Sequence, residues 1–297
     1  MPRNKVGHFK GERARAHFVR VYDAAMAQLP QALESTDVPT SFGSVRAYRF
    51  DGPSTGSPVV MLPGRNASTP MWRVNMPALL EHRTVIGIDL LGEAGMSVQD
   101  KPIAGPEHEA QWLDDALTGL GLDRVHLLGV SIGGWTVVNC AVHRPGRIAS
   151  LALLDPVVTF APIPVKAILA SFGLFLPVPE TVRRRVLRWI AGGAEFDDSL
   201  AEATLIGAGS KDFAIAKPMP KLFSDKQLRS LDLPVLALIA GRSVMLDDAR
   251  AAARARNLLL RGQVELWPDA SHAINGEYPV EIAKRGAQFW DEVDSAS

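Results

Sequence analysis

Hydrophobic positions along the chain follow two periodicities that take turns. Phe18, Tyr22, Ala25, Met26 and Leu29 recur at helical spacing while Arg13, Arg15 and Arg20 fall mostly elsewhere, which predicts an amphipathic helix over about 11–29 that docks on the protein body. "GSVRAYRF" then reads as a strand, and "SPVVMLPG" as a buried strand ending in a Pro-Gly break. A helix over 71–80 follows. From there the alternation is regular: strand "RTVIGIDL", helix "EAQWLDDALTGLG", strand "RVHLLGV", helix "IGGWTVVNCAVH", strand "RIASLALLD". Continuous apolar, β-branched runs between helices imply strands covered on both faces. The fold class is therefore α/β, an open, doubly wound and mostly parallel sheet.

The rhythm stops after Asp155 and returns at Leu233 with "LPVLALIAG", followed by helix "DARAAARARNLL", strand "QVELWPD" and helix "PVEIAKRGAQFWDEV". The stretch between is helical in pattern and rich in proline, and it is longer than a plain crossover needs. It reads as an insertion. The expected organisation is a core of residues 1–156 and 233–297 with a helical cap, 157–232, over the carboxyl ends of the strands, where open α/β sheets bind ligands. The most apolar segment, "AILASFGLFLPVP" (167–179), is too short to span a bilayer, which takes about 20 residues, and is read as part of a lid lining a pocket.

Composition narrows the partners. The 32 basic and 32 acidic residues cancel, so no excess of positive charge argues for nucleic acid or an anionic membrane surface, and a small, fairly neutral molecule is expected. The one cysteine, Cys140, lies inside a predicted helix and reads as a buried structural thiol. The N-terminus carries charges but no apolar core of the kind a signal peptide needs, so a cytoplasmic location is expected.

One strand and helix are separated by Gly129-Val130-Ser131-Ile132-Gly133. This fits G-x-S-x-G, in which small residues flank a serine on a strained strand-to-helix turn, and the apolar strand before it and apolar helix after it supply the context that the turn requires. Ser131 is the candidate nucleophile. A serine hydroxyl reacts poorly until a base removes its proton. Of seven histidines only His272, in "PDASHAINGEYP", occupies a loop between the final strand and the final helix. Two N–H donors must also stabilise a tetrahedral oxyanion. The amide of Ile132, after the nucleophile, is one candidate, and the amide of Arg65 in the turn "LPGRNAS" is the other.

With these residues in place the chain resembles α/β-hydrolase fold enzymes, close to the bacterial carboxylesterases. The matching stretches are "VVMLPGRNAS", "IDLLGEAGMS", "LLGVSIGGW", "LPVLALIAG" and "PDASHAINGE", in family order, from about Phe18 to the C-terminus. The first stretch departs from the usual His-Gly by carrying Pro63. The resemblance implies hydrolysis of carboxylic esters through an acyl-enzyme, on an apolar small-molecule substrate, with no metal or organic cofactor. Such enzymes usually carry the acid of the triad shortly after the strand matching "LALIAG", but here the turn reads Gly241-Arg242-Ser243-Val244. Asp247 comes next and is explained as a helix N-cap. Asp155, immediately after "LALL", stands at the same edge of the sheet and is preferred as the acid. Thioesters, lactones or carbon–carbon bonds remain open as substrates of the same chemistry. A ligand-binding receptor with weak turnover is the competing reading, kept open by the missing carboxylate.

Overall fold

The computed structural model describes residues 5–175, 180–190 and 201–296. In chain order the elements are β1 (His8–Phe9), α1 (Glu12–Met26), β2 (Glu34–Thr40), β3 (Gly43–Phe50), β4 (Val59–Leu62), α2 (Met76–Leu80), β5 (Val85–Ile88), β6 (Val98–Gln99), α3 (Pro106–Gly119), β7 (Val125–Val130), α4 (Ile132–His143) and β8 (Ile148–Leu154). Next come α5 (Val165–Phe175), α6 (Glu180–Ile190), α7 (Ala201–Asp212), β9 (Phe213–Ala214) and α8 (Asp225–Arg229). The chain closes with β10 (Val235–Ala240), α9 (Asp248–Leu258), β11 (Gly262–Trp267), α10 (Ile274–Glu277) and α11 (Pro279–Ser295).

The main sheet runs β11-β10-β8-β7-β4-β5-β3-β2, with β6 paired to β3. Every pairing from β11 across to β5 is parallel, and those of β3 with β2, β5 and β6 are antiparallel. The apolar runs are continuous because alternate side chains feed two cores. Val60, Leu62, Leu127, Leu151, Leu153, Ala237 and Ile239 pack with α3, α4 and α9 on one face. Val59, Met61, Leu128, Val130, Ala152, Leu154, Leu236 and Leu238 pack with α1, α2 and α11 on the other.

Three differences from the sequence reading have simple causes. The helix expected over 71–80 is a 3-10 turn at Thr69–Trp72 followed by the short α2. β2, "ESTDVPT", is polar apart from Val38 and lies at the sheet edge, so it carries no apolar run to betray it. In the segment read as a cap, residues 176–179 and 191–200 lie outside the described residues. Within the apolar run 167–179, Ala167 is buried but Ile168 and Leu169 are 41% and 66% exposed, so the run is not buried along its length as its composition suggested. Further along, β9 pairs with β1 and α7 packs on α1, which ties this segment to the N-terminal arm. Among the described residues no helix is long and apolar enough to cross a membrane.

β4 and β7 are neighbours, and the sheet grows outward from them in opposite directions, β4 to β5 on one side and β7 to β8 on the other. That reversal leaves a crevice at their carboxyl ends. Ser131 sits there with φ 54° and ψ −117°, and its amide donates to the Leu154 carbonyl at 3.0 Å. The turn closes only because its glycines lack side chains. A Cβ on Gly129 would meet the Gly133 carbonyl carbon at 2.5 Å, and one on Gly133 would stand 2.3 Å from the Leu62 carbonyl oxygen. The start of α4 is thus pressed directly onto the end of β4.

At the opposite end of the sheet His126 is fully buried, with Nδ1 2.8 Å from Ser150 Oγ and Nε2 3.3 Å from Asp294 Oδ2. Burial holds its pKa down to about 4, against a partial upward pull from Asp294. The folded state therefore refuses a proton that the unfolded chain accepts below about pH 6.5. Stability from this group is complete above about pH 6.5 and is lost as the pH falls toward 4.

Two outcomes follow from these contacts. Urea titrations should lose on the order of 3 kcal/mol between pH 7 and pH 4 through His126, and His126→Gln should flatten that part of the profile; an unchanged slope would contradict the buried neutral imidazole. Gly133→Ala should lose about 1–3 kcal/mol of stability, because backbone must move. Gly207→Ala, where an added Cβ meets nothing within 4 Å inside α7, should gain up to about 1 kcal/mol, and equal effects at the two sites would refute the close approach.

Candidate active site

The carboxyl ends of five parallel strands supply the site. Ser131 follows β7, Asp155 follows β8, Ser243 lies in the turn after β10, His272 in the loop after β11, and Arg65 in the loop after β4. The imidazole of His272 bridges the first two. Its Nε2 is 3.0 Å from Ser131 Oγ and its Nδ1 is 2.5 Å from Asp155 Oδ2. Asp155 itself is fully buried, with a positive φ of 42° that swings its carboxylate back toward β10. There Oδ1 accepts the Ala240 amide at 3.1 Å and Oδ2 accepts the Ser243 hydroxyl at 2.6 Å. A desolvated carboxylate needs such donors to stay charged.

Asp247 is exposed and turned to another task. Its Oδ1 accepts the Arg250 amide at 3.0 Å and caps α9, as the sequence around it implied. Sequence reasoning overlooked Ser243, although it occupies the very turn in which a carboxylate was sought. The His272 loop has its own clamp. Glu277 of α10 accepts both the amide and the hydroxyl of Ser271 at 2.7 Å, and the Ala273 amide returns to Ser271 Oγ at 3.1 Å.

Ile132 opens α4, so its amide points out of the positive end of that helix toward the crevice. The loop bearing Arg65 passes close by, since a Cβ on Gly64 would lie 3.7 Å from the Ser131 Cβ. Asp89, fully buried at the end of β5, anchors the far side of this loop. Its Oδ1 accepts the amide and hydroxyl of Thr69, and its Oδ2 accepts the Tyr22 hydroxyl and the Met96 amide. Burial raises the Asp89 pKa, opposed by these bonds. Glu93, also fully buried, receives the Asn66 amide at 3.4 Å and lies 3.8 Å from the Arg65 guanidinium. The segment "IDLLGEAGMS" thus braces the loop after β4, a role that no motif announced.

Beside Ile132 and Arg65 a cavity opens between the core and the segment 217–221, lined further by Trp135, Lys217 and Met219. Lys217 is 94% buried there because Glu93 and Glu109 flank its ammonium at 3.5 and 3.2 Å. Among the described residues no group of three or more His, Cys, Asp or Glu side chains could hold a metal ion. Cys140 is buried, and burial pushes its thiol well above the usual range. The arrangement is one of a hydroxyl, an imidazole and a buried carboxylate in contact one after another, with the start of α4 and the turn at Gly64 next to the serine.

Comparison with known proteins gives the family and the fold. Two Bacillus subtilis proteins, the uncharacterized carboxylesterase nap and carboxylesterase YbfK, are each 25% identical to this chain, over 280 and 281 residues that cover 92% of it and 92% and 93% of their own lengths. The crystal structure of the carboxylesterase CesB (YbfK) superposes with a TM-score of 0.86 at 25% identity, covering 93% of this chain and 98% of that one. A meta-cleavage product hydrolase from Pseudomonas fluorescens shares the fold at a TM-score of 0.73 and 16% identity, covering 90% and 99%. The family model for the alpha/beta hydrolase family matches residues 59–285, which span the sheet from β4 to α11, and the chain belongs to that family.

Proposed function

We propose that this protein is a serine hydrolase that cleaves carboxylic esters of apolar small molecules through an acyl-enzyme, with Ser131 as nucleophile, His272 as general base and acid, and Asp155 as the carboxylate that orients the imidazole. The observation that carries this reading is the continuous relay from Ser131 Oγ to His272 Nε2 at 3.0 Å and from His272 Nδ1 to Asp155 at 2.5 Å. It takes further support from the carboxylesterases among the similar proteins.

In the first half of the cycle Ser131 Oγ bonds to the ester carbonyl carbon as its proton passes to His272 Nε2. The carbonyl oxygen becomes an oxyanion, held by the amides of Ile132 and Arg65. Collapse breaks the bond to the alkoxy oxygen, which leaves as the alcohol with the proton from His272. Water then repeats the sequence on the acyl-enzyme and releases the acid. No step calls for a metal or an organic cofactor. Residues 157–232 act as the cap in this scheme, because the wall 217–221 of the cavity beside Ile132 and Arg65 belongs to them. The receptor reading rested on a missing carboxylate, and the contact of Asp155 with His272 removes that ground.

Two experiments test this reading. A fluorophosphonate probe should label Ser131 and no other residue, and Ser131→Ala should abolish both labelling and hydrolysis of short p-nitrophenyl esters; labelling elsewhere would end the assignment. Asp155→Asn should lower kcat by about 10⁴-fold, since an amide in place of the acid leaves the imidazole in the wrong tautomer. Asp247→Asn should leave kcat within about twofold, because asparagine caps a helix as well as aspartate does. The opposite ranking of these two variants would move the acid to Asp247.

A further inference from the structure

We propose that Ser243 is a positioning residue that fixes the direction of the whole relay, acting through Asp155; this rests on the serine hydrolase reading above. The argument begins with a group that has no choice. A backbone N–H only donates, and the Met245 amide meets Ser243 Oγ at 3.2 Å, so that oxygen accepts there. The hydroxyl proton must then point away from Met245. On that other side Asp155 Oδ2 stands at 2.6 Å and takes it.

Oδ2 is also the oxygen that faces His272 Nδ1. With Ser243 donating to Oδ2 and the Ala240 amide donating to Oδ1, both oxygens of the buried Asp155 side chain serve as acceptors and its orientation is fixed. With both Asp155 oxygens already acting as acceptors, the donor in its contact with His272 is Nδ1–H. A neutral imidazole carries one N–H, which leaves Nε2 as an acceptor aimed at Ser131 Oγ. The tautomer required of a general base is therefore set by a chain of donors that starts at one backbone amide, passes through Ser243 and ends at the nucleophile.

Ser243 also holds the carboxyl group in place when the imidazolium forms. Its hydroxyl shares Oδ2 with Nδ1–H and holds that oxygen at His272. Its loss frees Asp155 to rotate about its own side-chain bonds, and the orientation of His272 loosens with it. Binding of the ester is untouched, because Ser243 stands behind Asp155, on the far side from Ser131.

The test uses the intact protein and a short p-nitrophenyl ester. Thr and Val have nearly the same shape but only Thr keeps the hydroxyl, so Ser243→Thr is compared with Ser243→Val, and Ser243→Ala serves as a variant with no added bulk. Ser243→Ala and Ser243→Val should lower kcat by about 10- to 100-fold, the worth of one hydrogen bond to a charged group, with KM unchanged. Ser243→Thr should restore most of kcat. In an Asp155→Asn background Ser243→Ala should have no further effect on kcat, since the residue acts only through that carboxylate. The downfield imidazole N–H resonance of His272 should broaden or move in Ser243→Ala while circular dichroism and melting temperature stay close to those of the parent.

Equal kcat in the Thr and Val variants, or a loss in Ser243→Ala that persists undiminished on Asp155→Asn, would overturn the proposal. A fall confined to KM would do the same. Failure of the underlying reading looks different. If Ser131→Ala and Asp155→Asn leave hydrolysis intact, the relay is not the catalyst; if both abolish hydrolysis while Ser243→Ala is silent, only the role of Ser243 falls.

Discussion

The contact on which the site depends is a steric one, between the start of α4 and the end of β4. Gly133 lies so close to the carbonyls of Leu62 and Pro63 that a Cβ would stand 2.3 and 2.6 Å from them. One close approach sets two things at once. It holds Ser131 at a backbone conformation that L-residues rarely adopt, and it brings the loop carrying Arg65 beside the amide of Ile132. Neither the nucleophile nor the pair of amides next to it could be placed independently of the other.

Around this contact the parallel sheet acts as a rigid ruler. In strands whose two faces are buried in separate cores, a one-residue slip would send every side chain into the other core, where it is not matched to its neighbours. Ser131 and Asp155 follow the adjacent strands β7 and β8 and His272 follows β11, beyond β10, so their separations in sequence, up to 141 residues, matter little once the strands are paired. Each chemical residue then has a neighbour that holds it. Asp155 has Ala240 and Ser243, His272 has the loop clamped by Glu277, and the Arg65 loop has Asp89 and Glu93.

The distance between the turn after β10 and Asp155 at the end of β8 is small in space. Asp155 lies in parallel register beside β10, and its side chain reaches across to the Ala240 amide, so the carboxylate stands against the turn that would otherwise supply it. The serine left in that turn keeps the site polar and gives the displaced carboxylate a donor. Position and chemistry have been divided between two strands that already touch.

The sequence by itself determined the sheet, its parallel core, the N-terminal helix and the serine turn, because burial on both faces and a turn without side-chain room leave marks on adjacent residues. It also supplied the histidine by elimination and the preference for Asp155, both of which depend on position at a strand end. It was silent on β2, whose residues are mostly polar, and it did not foresee that Ile168 and Leu169 turn outward, since an apolar helix can point large residues to solvent. Only the tertiary structure decided that Asp155 and not Asp247 meets His272, that Ser243 donates to it, and that Glu93, Asp89 and Glu277 brace the loops. The Asp155 contacts join residues 88 and 117 positions apart, and even the clamp of Glu277 on Ser271, six residues away, is a side-chain hydrogen bond, which follows no periodicity that a single sequence displays.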